Sequence, residues 1–430
     1  MNILILSAPN PKKTAGIVAF DLYKGLETVN GTDVRLIVKQ YGNYYDKKII
    51  PIDSYLTHYR EAIIQKFATL SIRVRSIRDP SFKIVNSDYV ITDYDPTRSY
   101  CKTSRLLSKI DFTPDAIIVL FNHKFLSFKN LWELNAMTKA PIYIYPMDMS
   151  PMTAGCHYAW DCKGYHNQCG FCPAYCSSAE NDQSRKNWLF KKRYIDKTNI
   201  SVLYVNEHLH QQILQSSLFK GKRKYKVPLG IDATIFKLGD MSRARNIFKL
   251  PLNKKIVFIG AANVNSKRKG YRQLIDALKI LKQNLDNPSN IHIAVAGRHN
   301  NDLQANWPFD YSTLGYLTYD QLAAAFRSAD LFLCPSIEDS GPMMINQSIM
   351  CGTPVVAFET GAALDHVITG KTGYLAIMKD CHDFAKGVKS ILDLNAEDRK
   401  IMRKNCWEHG IEFCHPKVQA NKIYEALLDN

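Results

Sequence analysis

Residues 331–358, LFLCPSIEDSGPMMINQSIMCGTPVVAF, contain two short apolar runs joined by a polar loop and a helical pattern. The runs Leu331–Cys334 and Val355–Phe358 are continuously apolar, which is typical of parallel strands covered on both faces. Pro342 is tolerated in the first turn of a helix, so we expect a helix over Met343–Met350. The stretch therefore predicts a strand, a helix and a strand in succession, which is the repeating unit of a doubly wound sheet.

The same alternation of apolar runs and helical patterns extends in both directions along the chain. Helices are predicted at 16–29, 126–137, 271–285, 319–328 and over the terminal 398–429. Further strands are predicted at Ile3–Leu6, Val34–Val38, Asp115–Phe121, Pro141–Tyr145, Ile200–Val205, Ile256–Ile259 and Ile291–Ala296. Two such series predict an α/β fold with two Rossmann-like, doubly wound domains that face a cleft, where ligands of such folds usually bind.

Pro228 and Gly230 interrupt the chain before the second series, and they place the domain boundary between 206 and 232. We expect a first domain over 1–206, with a cysteine-rich insertion at 150–180. A second domain is expected over 207–412, and a terminal helix over 413–430 is expected to pack back across both domains.

The composition of the 430 residues, 46% hydrophobic and 22% charged, is that of a folded globular protein and not of a disordered chain. The apolar stretch Met1–Ser7 has no basic residue before it, so we interpret it as a first strand and not as a signal peptide. No segment approaches the ~18 apolar residues of a membrane-spanning helix. We therefore expect a cytoplasmic protein whose 11 cysteines are reduced.

The formal net charge of +16 favours anionic partners. The densest basic run, Lys220–Lys226, fits a solvated loop or a contact with a membrane surface or a polyphosphate. The basic residues show no aromatic interleaving and no recognised motif, so nucleic acid is not an expected partner. We expect an anionic membrane surface instead, with peripheral attachment to the inner membrane.

Asp339, Ser340 and Gly341 lie in the loop before the predicted helix Met343–Met350. The first backbone amides of a helix have no partner within the helix, and the helix dipole is positive at this end, so the position can seat a phosphate. A neighbouring carboxylate can bind sugar hydroxyls. The alternative is an ordinary helix start that Asp339 or Ser340 caps.

The whole run resembles the signature of retaining family 4 glycosyltransferases of the GT-B fold, with a Pro-Ser strand end, two acids and a Cys-Gly-Thr-Pro turn. The resemblance implies that Asp339 contacts the donor sugar and that Gln347 contacts the ribose, although the family has glutamate at both positions. Gln347 keeps an acceptor and adds two donors, without a charge-assisted bond. A register one residue earlier would use Glu338 and Asn346. The donor-binding loop would comprise Ser340, Gly341, Pro342 and Met343.

A second resemblance to this family runs from Ile256 to Tyr271. The family places an arginine and a lysine here to hold the donor diphosphate. Lys269 matches the lysine, whereas Asn263 stands at the arginine position. The leaving diphosphate gains negative charge that must be neutralised, and Arg268 is expected to supply the charge that Asn263 lacks. Gly16 matches a glycine at which the family lets the backbone approach the donor phosphates.

A third resemblance covers Tyr143–Tyr158, which is similar to a segment with His-Asp-Met and Thr-Gly-Gly-Cys-His-Tyr in polysaccharide-building members of the family. Asp148 matches the aspartate of that segment. Met147 stands where the family has its active-site histidine. His123, which follows an earlier predicted strand, is an alternative histidine for the cleft.

Four cysteines lie in the same part of the chain, Cys156, Cys162, Cys169 and Cys172. The last two form a Cys-Gly-Phe-Cys pair with the spacing of a metal knuckle, and thiolates in a compact loop suit structural zinc. The first two are spaced more widely than in a standard knuckle. Structural zinc, reduced thiols packed in a loop and a redox role are the alternatives.

The resemblance implies a retaining glycosyltransferase of hexosyltransferase type, with the catalytic residues Lys269, Asp339 and Asp148. The donor would be a nucleotide sugar and the acceptor a glycan or a lipid-diphosphate-linked glycan, in the synthesis of bacterial surface polysaccharide or lipopolysaccharide. Catalysis would need no cofactor.

Two other functions are considered. One is an inactive homologue that binds sugar nucleotides, because three family positions carry other residues, Met147, Asn263 and Gln347. The other is a dinucleotide-dependent oxidoreductase. No Gly-x-Gly-x-x-Gly follows a predicted strand, and this argues against the oxidoreductase.

Overall fold

The computed structural model describes residues 1–12, 14–42, 44–54, 86–92, 95–97, 100–263, 266–298, 307–341 and 343–429. The chain divides into two compact units. The first consists of Met1–Val205, Leu209–Val227 and Gln419–Asn430, and the second of Asn206–His208 and Pro228–Val418. Each unit is built around one parallel sheet.

The sheet of the first unit has seven strands in the order β3-β2-β1-β4-β5-β6-β7. The strand order reverses direction at β1, where Ile3 is in register with Val34 on one side and with Ala116 on the other. This reversal is the mark of a doubly wound sheet. The strands are β1 (Asn2–Ser7), β2 (Asp33–Val38), β3 (Ile49–Pro51), β4 (Ala116–Val119), β5 (Ile142–Ile144), β6 (Ile200–Tyr204) and β7 (Arg223–Lys226).

The sheet of the second unit has six strands in the order β10-β9-β8-β11-β12-β13, and its order reverses at β8. Its strands are β8 (Lys255–Asn263), β9 (Ile291–Arg298), β10 (Asp310–Gly315), β11 (Leu331–Cys334), β12 (Val355–Phe358) and β13 (Gly373–Ala376). Both sheets are parallel and doubly wound, so the predicted α/β class with two Rossmann-like domains is confirmed.

Most of the described helices lie between these strands in the chain, and α11, α12 and α13 follow β13. No helix in the described part of the chain combines the length and the apolar character that a membrane span requires. The helices are α1 (Thr14–Glu27), α2 (Thr103–Leu107), α3 (Phe128–Thr138), α4 (Gln183–Ile195), α5 (Glu207–Gln215), α6 (Met241–Ile247), α7 (Tyr271–Gln283), α8 (Tyr319–Ser328), α9 (Met343–Met350), α10 (Ala363–His366), α11 (Cys381–Leu392), α12 (Ala396–Cys414) and α13 (Pro416–Leu428).

The first unit extends past residue 206 because β7 pairs with β6, with Tyr204 in register with Lys226. The basic run, for which the sequence allowed a loop or a surface contact, therefore ends in an edge strand. Two of its ammonium groups form hydrogen bonds within the unit: Lys222 donates to Ile195 O at 2.9 Å, and Lys224 donates to Lys220 O at 2.7 Å.

The last helix, α13, contributes to the first unit. Tyr143 donates to Ala426 O at 3.2 Å, and Gln419 Nε2 donates to the hydroxyl of Tyr145 at 3.1 Å. Tyr143 and Tyr145 are fully buried, and Gln419 is buried with them. The terminal segment is thus part of the core of this unit.

Candidate functional site

The loop between β11 and α9 rests on a second loop that follows β8. The backbone amides of Ile337 and Glu338 donate to Arg268 O, at 2.8 and 3.3 Å. Gly270 makes this approach possible, because a Cβ at this position would lie 1.8 Å from Pro335 O. Its φ of +65° is also in the left-handed region that favours glycine. The two loops are therefore packed backbone against backbone.

Asp339 is the charged centre of this contact. Its carboxylate is almost fully buried and accepts from Arg268 Nη1 at 2.8 Å and from Lys269 Nζ at 2.5 Å. Burial alone would raise the pKa of Asp339, but the two cations outweigh it and lower the pKa. The carboxylate is therefore ionised at neutral pH, and it fixes both cations at the start of α9.

Two buried polar side chains at this site lack partners. Ser340 Oγ and both amide atoms of Gln347 have no hydrogen-bond partner among the described residues. Ser340 is 1% exposed and Gln347 is 0% exposed. A buried polar group without a partner is unfavourable by about 1–3 kcal/mol, so such groups usually meet a ligand or an ordered water. Their position indicates a binding site along the first turns of α9.

The structure also decides which amide of α9 is available. Asn346 Nδ2 lies 3.2 Å from His366 Nε2 and 3.3 Å from Cys414 Sγ, so it is already engaged. The neighbouring Gln347 has no such contact among the described residues. This favours the register that uses Asp339 and Gln347 over the one that uses Glu338 and Asn346.

Two residues that the sequence did not single out adjoin the loop. Asn206 Nδ2 donates to Ser340 O at 2.6 Å. His208 lies near Asp339: burial lowers the pKa of His208, and the carboxylate of Asp339 opposes that shift. Both residues follow the carboxyl end of β6 but belong to the second unit. The only sequence signal for them is polar residues after a predicted buried strand.

The other predicted donor-site residues divide into three groups. Gly341 N donates to Asp339 Oδ1 at 3.3 Å, and Met343 begins α9. Asn263 is the last residue of β8, and its side chain lies outside the described part of the structure, as does Pro342 altogether. Gly16 lies in the first unit.

Gly16 is explained by a close approach within the chain. A Cβ there would come within 1.9 Å of Asn10 O, so only glycine lets the start of α1 pack against the loop after β1. A role of Gly16 toward donor phosphates stays a prediction.

Asp148 forms a pair with a histidine in the first unit. Its Oδ2 lies 3.0 Å from His157 Nδ1, and its Oδ1 accepts from Ser150 N at 2.7 Å. Burial would raise the pKa of Asp148, but His157 and Ser150 outweigh it and lower the pKa. The histidine beside Asp148 is therefore His157, whereas Met147 stands at the position of the family's histidine. The alternative His123 packs edge-on against Phe121, with ring centroids 6.4 Å apart.

The four clustered cysteines occur as free thiols. Gly164 N donates to Cys162 Sγ at 3.4 Å, and Cys156 packs against a small core that contains Cys172. Burial raises the pKa of the Cys169 thiol to about 12. Among the described residues, no group of three or more His, Cys, Asp or Glu side chains is arranged to hold a metal ion. Structural zinc, reduced thiols packed in a loop and a redox role all stay predictions.

Part of the second unit matches a known family model. Residues 242–408 match the family model described as "Glycosyl transferases group 1". The match contains Lys269, Asp339 and Gln347, which lie in the site described above. This part of the second unit is therefore similar to that family.

Curated relatives match parts of the chain. D-inositol 3-phosphate glycosyltransferase of Mycolicibacterium smegmatis is 27% identical over 197 residues, which are 43% of this chain and 42% of the relative. The chain thus spans less than half the length of this relative.

Solved structures match over the whole chain. Sucrose-phosphate synthase from Thermosynechococcus elongatus has a TM-score of 0.67 at 14% identity, over 100% of this chain and 99% of that one. HepE of Anabaena in complex with UDP and glucose has a TM-score of 0.61 at 14% identity, over 100% of both chains. These similarities show the fold, which is GT-B with two Rossmann-like domains.

Replacing Gly270 with Ala is expected to disrupt the contact between the two loops. The added Cβ meets Pro335 O, and the left-handed backbone is strained as well. We expect a loss of at least ~2 kcal/mol of unfolding free energy beyond the strain alone, measured by urea denaturation.

Gly315→Ala is the matched control, because Gly315 has a φ of +70° and no other atom lies within 4 Å of the place that an added Cβ would take. This variant bears only the backbone strain, about 1 kcal/mol. Equal losses in the two variants would show that the close approach of Gly270 to Pro335 does not matter.

Proposed function

We propose that this protein is a retaining glycosyltransferase of hexosyltransferase type, which moves a sugar from a nucleotide-sugar donor to a glycan or a lipid-diphosphate-linked acceptor. The observation that carries the proposal is the start of α9. There Asp339 holds two cations, and Ser340 and Gln347 are buried without partners among the described residues. A ligand with both phosphates and hydroxyls would satisfy all of these groups.

The diphosphate of the donor would lie at the start of α9. The amide of Met343 and the positive end of the helix dipole favour an anion there. Lys269 would stabilise the negative charge that the diphosphate gains as the glycosidic bond breaks, with Arg268 beside it. Both cations are already in place, because Asp339 holds them.

Asp339 would bind the donor sugar. Its lowered pKa keeps it ionised, so it can accept hydrogen bonds from sugar hydroxyls. Ser340 Oγ would contact the sugar or the phosphate, and the Gln347 amide would contact the ribose. HepE, which shares the fold, contains UDP and glucose in its structure, and this supports a UDP-sugar as the first donor to test.

Retention of configuration would follow from attack on the same face that the diphosphate leaves. The acceptor hydroxyl forms the new bond to the anomeric carbon as the bond to the phosphate oxygen breaks. The proton of the hydroxyl passes to that phosphate oxygen, so the leaving group acts as the base. Asp148 would belong to the acceptor side, in the first unit.

The biological setting is proposed from the resemblance of Tyr143–Tyr158 to polysaccharide-building enzymes and from the net charge of +16. We place the enzyme in bacterial surface polysaccharide or lipopolysaccharide synthesis, in the cytoplasm and peripherally on the inner membrane. An excess of cations attracts anionic lipid headgroups as well as diphosphate-linked acceptors.

An inactive homologue that binds sugar nucleotides is the second candidate. One observation favours it: Lys269 and Arg268 are both engaged by the single carboxylate of Asp339. In an active enzyme the ammonium group of Lys269 would have to contact both Asp339 and the donor diphosphate. Hydrolysis or transfer of the donor sugar distinguishes the active transferase from the inactive homologue.

A panel of UDP-, GDP- and ADP-sugars, with UDP-glucose first, is expected to contain a donor that raises the melting temperature and is slowly hydrolysed. Lys269→Ala is expected to weaken the binding of that donor about 10- to 100-fold, because a hydrogen bond to a charged group is lost. Asp339→Asn is expected to lower hydrolysis as well. The control is Lys267→Ala, since Lys267 is exposed in the same loop.

Stabilisation by nicotinamide dinucleotides alone would contradict the transferase function. Binding of a sugar nucleotide without hydrolysis, and without transfer to extracts that contain lipid-linked acceptors, would identify the inactive homologue.

Replacing Gln347 with Leu is expected to separate stability from binding. The amide has no partner to lose among the described residues, so the unfolding free energy should stay constant or rise. Donor affinity should fall about tenfold, which corresponds to one lost hydrogen bond to the ribose. Urea denaturation and donor titration are the two measurements.

Gln419→Leu is the matched control, because Gln419 is equally buried but donates to Tyr145 at 3.1 Å. This variant is expected to lose about 1–3 kcal/mol of stability and to bind the donor normally. If Gln347→Leu were destabilised to the same extent, the amide would have a structural partner and no role in binding.

Structural zinc at the four cysteines is tested by metal analysis of protein purified without chelator. The prediction is about one zinc ion per chain, retained through gel filtration and lost in Cys169→Ser and Cys172→Ser. Metal content near zero would retire zinc in favour of packed, reduced thiols.

A further inference from the structure

The buried residues His366 and His409 of the second unit have no part in the donor contacts proposed above. His409 lies in α12 and His366 in α10, and together with Asn346 of α9 they form the histidine network. We infer that both histidines are positioning residues for the donor site, because this network holds the turn of α9 that carries Gln347, and that proton uptake by the network weakens donor binding. The inference rests on the proposed donor binding and deepens it.

The hydrogen bonds of the histidine network are buried. Asn346 Nδ2 lies 3.2 Å from His366 Nε2, and His366 Nδ1 lies 3.2 Å from His409 Nε2. Asn346 Nδ2 also donates to Cys414 Sγ at 3.3 Å. None of these four residues is more than 6% exposed. Water therefore has little access to them, and a hydrogen bond that is lost here leaves a buried polar group unsatisfied.

The helices α12 and α9 pack directly against each other beside the network. A Cβ at Gly410 of α12 would lie 3.0 Å from Met350 Sδ and 3.1 Å from Met350 Cα, at the end of α9. Asn346 lies one turn before Met350, and Gln347 follows Asn346 directly. The network therefore connects α12 to the turn of α9 that carries the amide proposed to bind the ribose.

The amide nitrogen of Asn346 determines where the protons of the network lie, because it only donates hydrogen bonds. Its two hydrogens serve His366 Nε2 and Cys414 Sγ, so His366 Nε2 has the lone pair. In the neutral ring the proton is then on Nδ1, which donates to His409 Nε2. Each hydrogen bond thus has one donor and one acceptor, with both rings neutral.

An added proton cannot enter this arrangement without changing a contact. On His409 Nε2 it would set two N–H groups against each other, and on His366 Nε2 it would oppose the amide hydrogen of Asn346. Otherwise the amide of Asn346 must turn over, so that its oxygen faces the ring and its nitrogen gives up both contacts. In each case proton uptake removes a hydrogen bond that the network forms when it is neutral.

The surroundings keep the network neutral near pH 7. Burial and the cation of Lys371, in the turn before β13, lower the pKa of His409, and Asp365 of α10 and Glu412 of α12 oppose this shift. Burial raises the pKa of the Cys414 thiol to about 12. The helix α9 contributes no titratable side chain. Folded His409 therefore takes up a proton only below the ~6.5 of an unperturbed histidine.

Linkage gives the sign of the effect of pH. Below pH ~6.5 the unfolded chain protonates a histidine that the folded chain keeps neutral. The contribution of His409 to stability is therefore fully present above pH ~6.5 and is lost as the pH falls. Donor binding weakens at the lower pH at which the folded network itself takes up the proton.

Two substitutions of His409 separate its hydrogen bond from its titration. The side-chain amide of Gln reaches the position of Nε2, so His409→Gln keeps an acceptor for His366 Nδ1 and takes up no proton. His409→Phe removes the acceptor and keeps an aromatic ring beside Phe413, whose centroid lies 4.6 Å from that of His409. The control is His292→Gln, because His292 is a buried histidine of β9 whose pKa burial also lowers and whose Nε2 lies 2.8 Å from Ser312 Oγ.

The first measurement is the dissociation constant of UDP-glucose, or of the donor that the panel above identifies, between about pH 8 and pH 5, where histidine titrates. Wild-type binding should weaken at least ~3-fold toward the acid end, as the neutral network is depleted. His409→Gln should bind like the wild type at neutral pH and lose this acid sensitivity. His409→Phe should bind ~3- to 10-fold more weakly throughout, because one hydrogen bond of the network is absent. His292→Gln should keep the wild-type pH dependence.

The second measurement is urea unfolding over the same range, which needs no donor. Between about pH 6.5 and 5.5 the folding equilibrium constant of the wild type should fall by up to about tenfold more than that of His409→Gln, since one histidine is protonated on unfolding. The titration of His208, near Asp339, is common to all variants and cancels in these comparisons.

Equal acid sensitivity of donor binding in the wild type and His409→Gln would overturn the inference. Wild-type affinity in His409→Phe would also overturn it, because the hydrogen bond would then not position α9. If His409→Phe does not fold, the comparison with His409→Gln decides alone. If no sugar nucleotide binds the wild type, the proposed function fails and the inference falls with it. Donor binding that no variant alters contradicts the inference alone.

Discussion

The buried charge of Asp339 is the constraint on which the second unit's site depends. A carboxylate withdrawn from water is unfavourable unless cations and hydrogen bonds compensate it. Lys269 and Arg268 provide that compensation, and both come from the loop after β8. The electrostatic requirement thus draws two loops together, and Gly270 removes the steric obstacle to their contact. The preorganised cations beside a helix start are a consequence of this packing and do not need a ligand to form.

The central strands and α9 could be predicted because their sequences satisfy one local rule. Strands such as β11 and β12 are continuously apolar and are bounded by Pro or Gly, and the structure gives the same limits for both. The edge strands β7 and β10 could not be predicted this way. Their sequences, RKYK and DYSTLG, are polar, as is common where one edge of a strand faces solvent. These strands form through backbone pairing with a neighbouring strand, which leaves no apolar run in the sequence. The predicted domain limits near 206 depended on such a strand.

In the candidate site, too, residues close together in sequence could be predicted, and contacts between distant segments could not. Asp339, Ser340 and Gln347 lie within one short segment, so a motif could place them together. Asn206 reaches Ser340 only through the fold. The approach of His157 to Asp148 was not predicted either, although both residues lie in the segment that resembles the family. Such contacts depend on the conformations of the loops that join strands and helices. The periodicity of apolar residues predicts the strands and helices but not these loop conformations.

The polar edge strand β7 has a consequence for assembly. An exposed strand edge offers unpaired backbone groups to another chain, and an apolar edge invites sheet extension and aggregation. Arg223 and Lys226 are exposed on β7, and Arg223 and Tyr225 also donate hydrogen bonds to Asp429, near the end of the chain. Another strand that paired with this edge would have to bury the charges of Arg223 and Lys226. The charges on the strand that completes the first sheet therefore oppose extension of that sheet by a further strand.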